Sequence, residues 1–142
     1  MSPELENKLI EKYPEIFTRR NEGGEREVVS YGIDVCDGWY NIIDCLCSTI
    51  QSHLNHHKAK RHLTSTEFEE QLQTKAAQVK EKFGGLRFYV DNSDDYVKGA
   101  IQTAELMSVR TCEQCGSPGK PIRGGWVKTL CSPCEEKRKC RS

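Results

Sequence analysis

The clearest hydrophobic pattern in the chain lies in the segment GWYNIIDCLCSTIQSHL, residues 38–54. Its large apolar residues recur at spacings of four, three, four and four: Trp39, Ile43, Leu46, Ile50 and Leu54. This period places them on one face of a helix, which we expect to be buried. Ile42 and Cys47 widen that face, and Asp37 is the predicted N-cap. The next segment, NHHKAKRHLTS, is basic and rich in histidine, and we predict that the chain leaves the helix there and enters a loop.

The N-terminal part of the sequence predicts a second helix. Ser2 is a suitable N-cap, and Pro14 ends the helix near Tyr13. The apolar stripe of this helix consists of Leu5, Leu9 and Tyr13. Residues 18–27, TRRNEGGERE, are charged and contain two glycines, so we predict a loop. Residues 28–35, VVSYGIDV, are rich in β-forming residues and predict a short strand.

The middle of the chain holds a helix signal followed by a strand signal. Thr66 and Glu69 have the spacing of a capping box, which predicts a helix N-terminus. Residues 86–90, LRFYV, alternate in polarity and predict a strand. Between them, residues 77–83, AQVKEKF, fit two interpretations equally. Either the helix continues through them, or a strand begins near Ala77 and pairs with LRFYV through the two glycines.

A further helix follows the turn DNSDD. Asp94 or Asp95 is its predicted N-cap. Its predicted buried face consists of Val97, Ile101, Ala104 and either Met107 or Ser108. The helix leads directly into Thr111 and the first of four closely spaced cysteines, so we expect no flexible linker at this point.

The composition fits one folded domain, or one domain with a small appendage. The chain has 142 residues, of which 36% are hydrophobic and 30% charged. The apolar runs are only a few residues long, which argues against a membrane-spanning helix. The charged start, MSPELENKLIEKY, lacks the apolar core of a secretory signal. We therefore expect a cytoplasmic protein.

Charge is distributed unevenly along the chain, although its total is zero. Residues 1–109 carry 13 basic and 18 acidic side chains, a net charge of −5, whereas residues 110–142 carry 8 and 3, a net charge of +5. The zero total argues against a protein that coats nucleic acid with its whole surface. The basic tail keeps a local contact with nucleic acid open as a hypothesis.

The tail contains two C-x-x-C pairs with fifteen residues between them. Paired thiolates at such spacing are typical of a zinc site, and four of them complete its tetrahedral coordination. No position then stays open for water, so we predict one structural Zn²⁺ rather than a catalytic ion. The predicted ligands are Cys112, Cys115, Cys131 and Cys134.

Turn and capping residues predict the order of elements in this tail. Gly116 suits a positive φ after the first pair, SPGKPIRGGW suits a short hairpin, and Ser132 with Glu135 has the pattern of a capping box. A knuckle, a hairpin and a helix that carries ligands at its start form a treble clef. We therefore predict an α+β protein, with a helical and short-sheet body in residues 1–109 and a treble-clef zinc finger in residues 110–142.

The histidine-rich segment offers a competing metal site. His53, His56 and His57 fall at positions i, i+3 and i+4, and His62 follows. No cysteine or carboxylate lies near them at ligand spacing, so we interpret the segment as a solvated, basic helix end. A small nuclease or other hydrolase that uses these histidines is the remaining catalytic hypothesis. The sequence offers no other catalytic constellation, and we expect the protein not to be an enzyme.

The segment KFGGLRFYV favours a tight turn between core elements. It could also present a basic and aromatic strand face, which can stack on unpaired bases. We expect Trp126 to pack over the knuckle or onto the body, and an exposed tryptophan here would be a candidate anchor for a partner. The candidate partner-binding residues are Arg123, Trp126, Lys128, Lys137, Arg138, Arg87 and Tyr89.

Three stretches together resemble a group of small, largely uncharacterised phage and prophage proteins: GWYNIIDCLC, QVKEKFGGLRFYV and CEQCGSPGKPIRGGWVKTLC. The resemblance covers about residues 36–134 and implies a zinc site whose last ligand, Cys or His in that group, is Cys134 here. It implies a viral setting but no activity. The tail alone is similar to the zinc finger of the DksA/TraR transcription-factor family, through CEQCG and LCSPCEEKR. Its cysteine pairs are closer together, however, and the body lacks that family's long coiled coil.

We therefore expect a non-enzymatic, zinc-stabilised phage or prophage accessory protein that binds a macromolecular partner. A host or viral protein is the preferred partner, and inhibition or redirection of a host defence system fits the setting. The first alternative is a nucleic-acid-binding module that uses the basic tail and the Lys/Arg-aromatic strand to bind DNA or RNA. The second is the histidine-dependent hydrolase.

Overall fold

A computed structural model describes residues 1–28, 32–61, 64, 67 and 72–140. The helices are α1 (Pro3–Lys12), α2 (Pro14–Phe17), α3 (Tyr40–Arg61), α4 (Asp95–Ser108) and α5 (Ser132–Lys139), with a 3₁₀ turn at Asp37–Trp39. The strands are β1 (Thr18–Arg20), β2 (Arg26–Val28), β3 (Ile33–Asp34), β4 (Lys75–Lys82), β5 (Gly85–Asp91), β6 (Lys120–Ile122) and β7 (Lys128–Leu130). These elements confirm the α+β class. Among them, no helix is both long enough and apolar enough to cross a membrane.

Helix α3 confirms the strongest prediction from the sequence, because all seven predicted apolar residues are buried. Its end is not where we predicted it. The helix continues through the histidines to Arg61, so the predicted loop is wrong over residues 55–61. Alanine, lysine and arginine are good helix formers and extend the helix once it has begun. Asp37 does not cap the helix with its side chain, since Oδ1 instead accepts the Ser2 N–H at 2.6 Å.

The central sheet has the strand order β3-β4-β5. Strand β3 is parallel to β4, and α3 lies between them in the chain, whereas β4 and β5 form an antiparallel hairpin. Residues 77–82 therefore belong to a strand, and the interpretation that a helix continues through them is wrong. Val79 pairs with Phe88 on the buried face. The predicted capping pair, Thr66 and Glu69, lies outside the described residues.

The N-terminal region differs from its prediction in one element. Helix α1 is confirmed, and Leu9 and Tyr13 are buried. Residues 18–27, predicted as a loop, instead contribute to the antiparallel hairpin β1–β2. Both strands are charged and mostly exposed, so they lack the alternation that marks a half-buried strand. Within the predicted strand over residues 28–35, Val28 ends β2 and Ile33–Asp34 form β3, while residues 29–31 are outside the described part of the chain.

Helix α4 covers the outer edge of β5. The Ser108 hydroxyl accepts the Leu86 N–H at 2.8 Å, and a Glu105 carboxylate oxygen accepts the Phe88 N–H at 3.2 Å. These bonds occupy backbone donors that an open sheet edge would leave unpaired. The N-cap is Asp94, whose side chain accepts the Val97 N–H. Of the two alternatives for the end of its buried face, Ser108 is buried and Met107 is exposed.

Candidate metal centre

The four predicted ligand cysteines lie together. Their sulfur atoms are all within 4.8 Å of one another, and Cys115 Sγ and Cys131 Sγ are 3.6 Å apart. Metal–sulfur bonds of about 2.3 Å in a tetrahedron place the sulfurs roughly 3.8 Å apart, so the spacing fits a four-thiolate site. All four thiols are free, with no disulfide among them. The cluster of Cys112, Cys115, Cys131 and Cys134 could therefore hold a metal ion.

The local structure has the order that the turn residues predict. Gly116 has a φ of +77° and donates its N–H to the Cys112 carbonyl at 2.9 Å, which closes the first knuckle. Strands β6 and β7 form the hairpin, and Cys134 lies in the first turn of α5. The predicted capping box at the start of this helix is wrong. The N-cap is Cys131, and Glu135 pairs with Lys139 one turn later at 2.7 Å.

The pKa values of two of these thiols are shifted in opposite directions. Hydrogen bonds from the Ser117 side chain and backbone lower the pKa of Cys115 to about 6. Hydrogen bonding to Cys131, together with burial, raises the pKa of Cys134 to about 12. Neighbouring thiolates repel one another, so ionising one makes the next harder to ionise. A divalent cation removes this conflict, because thiols that coordinate it are deprotonated.

The metal unit, residues 110–140, packs directly on the 3₁₀ turn at Asp37–Trp39. The Gly38 N–H donates to the Glu113 carbonyl at 2.9 Å, and the Trp39 indole N–H donates to the Thr111 carbonyl at 2.8 Å. Gly38 has no room for a side chain. A Cβ there would lie 2.3 Å from the Cys112 carbonyl oxygen and 2.7 Å from the Cys115 nitrogen. The DGW sequence is thus the docking surface for the first cysteine knuckle.

The turn between β4 and β5 forms a second contact with the metal unit. The Thr129 hydroxyl donates to the Gly84 carbonyl at 2.6 Å. A Cβ at position 84 would lie 3.0 Å from the Val127 side chain. The two glycines of KFGGLRFYV therefore let this turn approach the β6–β7 hairpin closely. The stretches GWYNIIDCLC, QVKEKFGGLRFYV and CEQCGSPGKPIRGGWVKTLC thus contribute to these contacts.

A buried ion pair lies under the first knuckle. Glu113, the second residue of CEQC, is only 1% exposed, and its Oε1 accepts a hydrogen bond from Lys128 Nζ. The Cys36 thiol donates to the same oxygen at 3.7 Å. The other carboxylate oxygen has no hydrogen-bond partner among the described residues. Lys128, predicted as a partner-binding residue, therefore neutralises a buried carboxylate within the protein.

We expect Lys128→Met to lower the free energy of unfolding by about 2–3 kcal/mol at neutral pH. The substitution keeps most of the side-chain volume but leaves the Glu113 carboxylate buried without its counter-ion. The expected loss of stability is smaller than for a fully buried ion pair, because the Lys128 side chain is partly exposed to water. Urea unfolding measures the change. Lys120→Met, at an exposed position of the same hairpin, is the control and should be nearly neutral; equal effects of the two would contradict this role.

The other predicted partner-binding residues fall into two groups. Arg87 and Arg138 make contacts within the chain: Arg87 lies 3.9 Å from Glu105, and Arg138 donates to the Trp126 carbonyl at 3.2 Å. The remaining four residues are exposed, and they are Arg123, Trp126, Lys137 and Tyr89. We expected Trp126 to pack over the knuckle or onto the body, but its side chain is largely exposed, and its indole N–H reaches Glu81 on the body at 3.0 Å.

The structure adds one cluster that sequence reasoning missed. Asp94 lies beside His53 and His57, and the three side chains offer ligand atoms within 4.8 Å of one another. Asp94 is 41 positions away from His53 in the sequence. No local spacing rule could have joined them.

Comparisons with known proteins add no further assignment. The chain was compared with protein-family models, with curated proteins and with solved structures, and none of the three comparisons found a significant match.

Proposed function

We propose that the protein is a non-enzymatic, zinc-stabilised accessory protein that acts by binding another protein through aromatic side chains at two adjacent hairpin tips. The observation that carries this proposal is the exposure of Phe83 and Trp126, which are 73% and 71% accessible to solvent. Large exposed aromatic side chains are typical anchors of protein interfaces. The metal-bound hairpin and the β4–β5 hairpin each present one of them.

Glu81 joins the two hairpin tips, which are the β4–β5 turn at Phe83 and Gly84 and the β6–β7 turn that contains Trp126. One carboxylate oxygen of Glu81 accepts the Gly84 N–H at 2.7 Å, and the other accepts the Trp126 indole N–H at 3.0 Å. The Arg138 guanidinium, from α5, fixes the Trp126 backbone by donating to its carbonyl. Trp126 is thus positioned before any partner arrives, which lowers the entropic cost of binding.

The conformation of Phe83 supports a binding role as well. Phe83 and Gly84 are the two turn residues of the hairpin, and both have positive φ, at 53° and 77°. Asparagine or aspartate is the usual residue before glycine in such a turn. A phenylalanine in this left-handed conformation is unfavourable, and its ring is not buried in compensation. Residues held in strained conformations are concentrated at functional sites.

We expect Phe83→Asn to raise the free energy of unfolding by roughly 0.5–1 kcal/mol. Asparagine tolerates the left-handed conformation and removes an exposed aromatic ring. Urea unfolding monitored by circular dichroism measures the change. A decrease in stability would show that the Phe83 ring supports the fold, and this argument for a binding role would then fail.

A protein fits this surface better than a nucleic acid. Three of the five basic residues predicted for partner binding, Arg87, Lys128 and Arg138, make hydrogen bonds or ion pairs within the chain. The total charge of the chain is zero. A binding site for nucleic acid draws most of its affinity from basic groups directed at phosphates. The exposed side chains of Phe83 and Trp126 offer apolar contact area to a protein partner, and this source of affinity does not need basic groups.

The metal in this proposal is a single structural Zn²⁺. Four thiolates in a tetrahedron are its preferred closed site, and no coordination position remains for a substrate. The resemblance to phage and prophage proteins supports a host-cell setting, in the cytosol, with a host protein as the partner. Inhibition or redirection of a host defence system is consistent with that setting.

Affinity capture from host lysate, with nuclease treatment, tests the proposal. We expect the wild-type protein to retain a specific protein that survives the nuclease. For the purified partner, Trp126→Ala should weaken binding by roughly 30-fold, the effect of a hot-spot loss of about 2 kcal/mol. Phe83→Asn should weaken binding while the fold stays intact.

The matched control is Tyr96→Ala. Tyr96 is an exposed aromatic residue on α4, twelve residues before Ser108, which lies beside Leu86 near the turn. This places Tyr96 roughly 18 Å from the tips along the helix. Equal losses in Trp126→Ala and Tyr96→Ala would contradict the assigned surface. Loss of all binding on nuclease treatment would show that the partner is a nucleic acid and not a protein.

A further inference from the structure

Helices α3 and α4 bring three metal-ligating side chains together, away from the four cysteines. His53 and His57 lie one turn apart on α3, with ring centroids 4.5 Å apart, and Asp94 precedes α4. The His53 Nε2 atom and the Asp94 Oδ2 atom are 2.7 Å apart. The three groups can present their ligand atoms within 4.8 Å of one another.

The fold holds each of these groups in place. Asp94 uses Oδ1 to cap α4 by accepting the Val97 N–H at 2.9 Å, which leaves Oδ2 directed at His53. The Tyr96 ring stacks on the His53 ring at a centroid distance of 4.1 Å and fixes its plane.

We propose that His53, His57 and Asp94 form a second metal site, for a divalent ion of borderline softness such as Zn²⁺. Imidazole nitrogen and carboxylate oxygen are ordinary zinc ligands, and two histidines at i and i+4 on a helix present their rings to one ion. Three protein ligands leave one coordination position for water, unlike the closed site of four cysteines. The ion would also link α3 to the start of α4.

A histidine–aspartate hydrogen bond alone does not account for the arrangement. It explains the position of His53, which is 14% exposed in its side chain, but it does not involve His57. The His57 ring packs edge-on against the His53 ring, and ligand nitrogens of both rings lie within 4.8 Å of a carboxylate oxygen of Asp94. A metal ion would bind one nitrogen of each ring and balance the charge of the carboxylate. Asp94 is exposed and gives an ion access to the site.

The test is a titration of the full chain with Zn²⁺ after the four-cysteine site has been filled with one equivalent. Isothermal titration calorimetry should detect a second equivalent in the wild type. His57→Ala and Asp94→Asn should each weaken this second binding by roughly tenfold or more, since even outer-shell changes cost that much at metal sites. Asparagine is itself a good N-cap, so Asp94→Asn removes the charge while α4 keeps its cap.

The matched control is His56→Ala, an exposed histidine on the same helix that is outside the cluster. The His56→Ala protein should bind the second equivalent of Zn²⁺ with the same affinity as the wild type. Imidazole resonances of His53 and His57 should shift more with the second equivalent than those of His56, whose ring centroid lies 6.1 Å from that of His57. Absence of a second equivalent in the wild type would overturn the proposal. So would a second equivalent that His57→Ala and Asp94→Asn retain, or one that His56→Ala removes.

Discussion

Gly38→Ala should lower the free energy of unfolding by roughly 4 kcal/mol or more, which is the range of exceptional single substitutions. The added methyl group would lie 2.3 Å from the Cys112 carbonyl oxygen and 2.6 Å from the Gly116 nitrogen. Both are backbone atoms of the cysteine knuckle, so no side chain can rotate away to make room. The knuckle must separate from the 3₁₀ turn or lose its geometry. Urea unfolding and metal content per chain measure the two effects.

Gly99→Ala is the matched control for this substitution. Gly99 lies within α4, and a Cβ there would meet no atom within 4 Å. Alanine is the better helix former, so the control should stabilise the protein by about 0.5–1 kcal/mol. If both substitutions had the same effect, the close contact between Gly38 and the knuckle would be contradicted.

Cys112→Ser should abolish metal binding at the four-cysteine site and unfold the metal unit. Binding of a structural Zn²⁺ by four such ligands contributes about 10–16 kcal/mol to folding in small zinc units, as much as the whole stability of many domains. Cys112 is fully buried, and serine is a poor zinc ligand. The equivalent of metal held by the four cysteines should be lost, and the melting temperature should drop. A strong chelator should reproduce the loss in the wild type.

The control for this experiment is Cys140→Ser. Cys140 is exposed at the end of α5 and lies outside the four-cysteine cluster. It should bind as much metal as the wild type, with wild-type stability. A Cys112→Ser protein that keeps its metal and its melting temperature would show that the cluster does not hold a structural ion.

Elements with a buried face could be predicted from the sequence, because burial imposes a period on the residues. The stripe on α3 and the alternation in β5 are of this kind, since Ile43, Ile50, Leu86 and Phe88 must all avoid water. The hairpin β1–β2 has no such requirement. Its strands expose charged side chains and are held by backbone pairing and by polar contacts such as Arg26 with Thr18 and Arg19 with Asp91, so their sequence resembles that of a loop.

Strand β4 shows where the pattern itself is ambiguous. Ala76 and Val79 are three residues apart, a spacing that fits one face of a helix. In the sheet both are buried as well, because a register shift between Ala76 and Gln78 interrupts the alternation of the strand. A bulge of this kind brings together residues that a regular strand would place on opposite faces. The partner strand, rather than local preference, decides the structure of this segment.

For the metal centre, the ligands could be predicted and their surroundings could not. The spacing of the four cysteines is a local property, since each pair occupies one turn. The contacts of Gly38, Trp39 and Gly84 with the metal unit join residues far apart in the chain. The same is true of Asp94 and the two histidines. The sequence indicated only a helix end at the histidines and a turn at Gly84. In the fold, both positions contact elements that are distant in the chain.

The burial of Trp39 against the metal unit has a consequence for spectroscopy. The chain contains two tryptophans. Trp39 is fully buried with its indole N–H on the Thr111 carbonyl, next to the first cysteine, while Trp126 is largely in water. In a Trp126→Phe background, a red shift of the remaining emission would report separation of the metal unit from the body. In a Trp39→Phe background, a blue shift would report a partner covering the hairpin tips, so fluorescence can follow the two events separately without any added label.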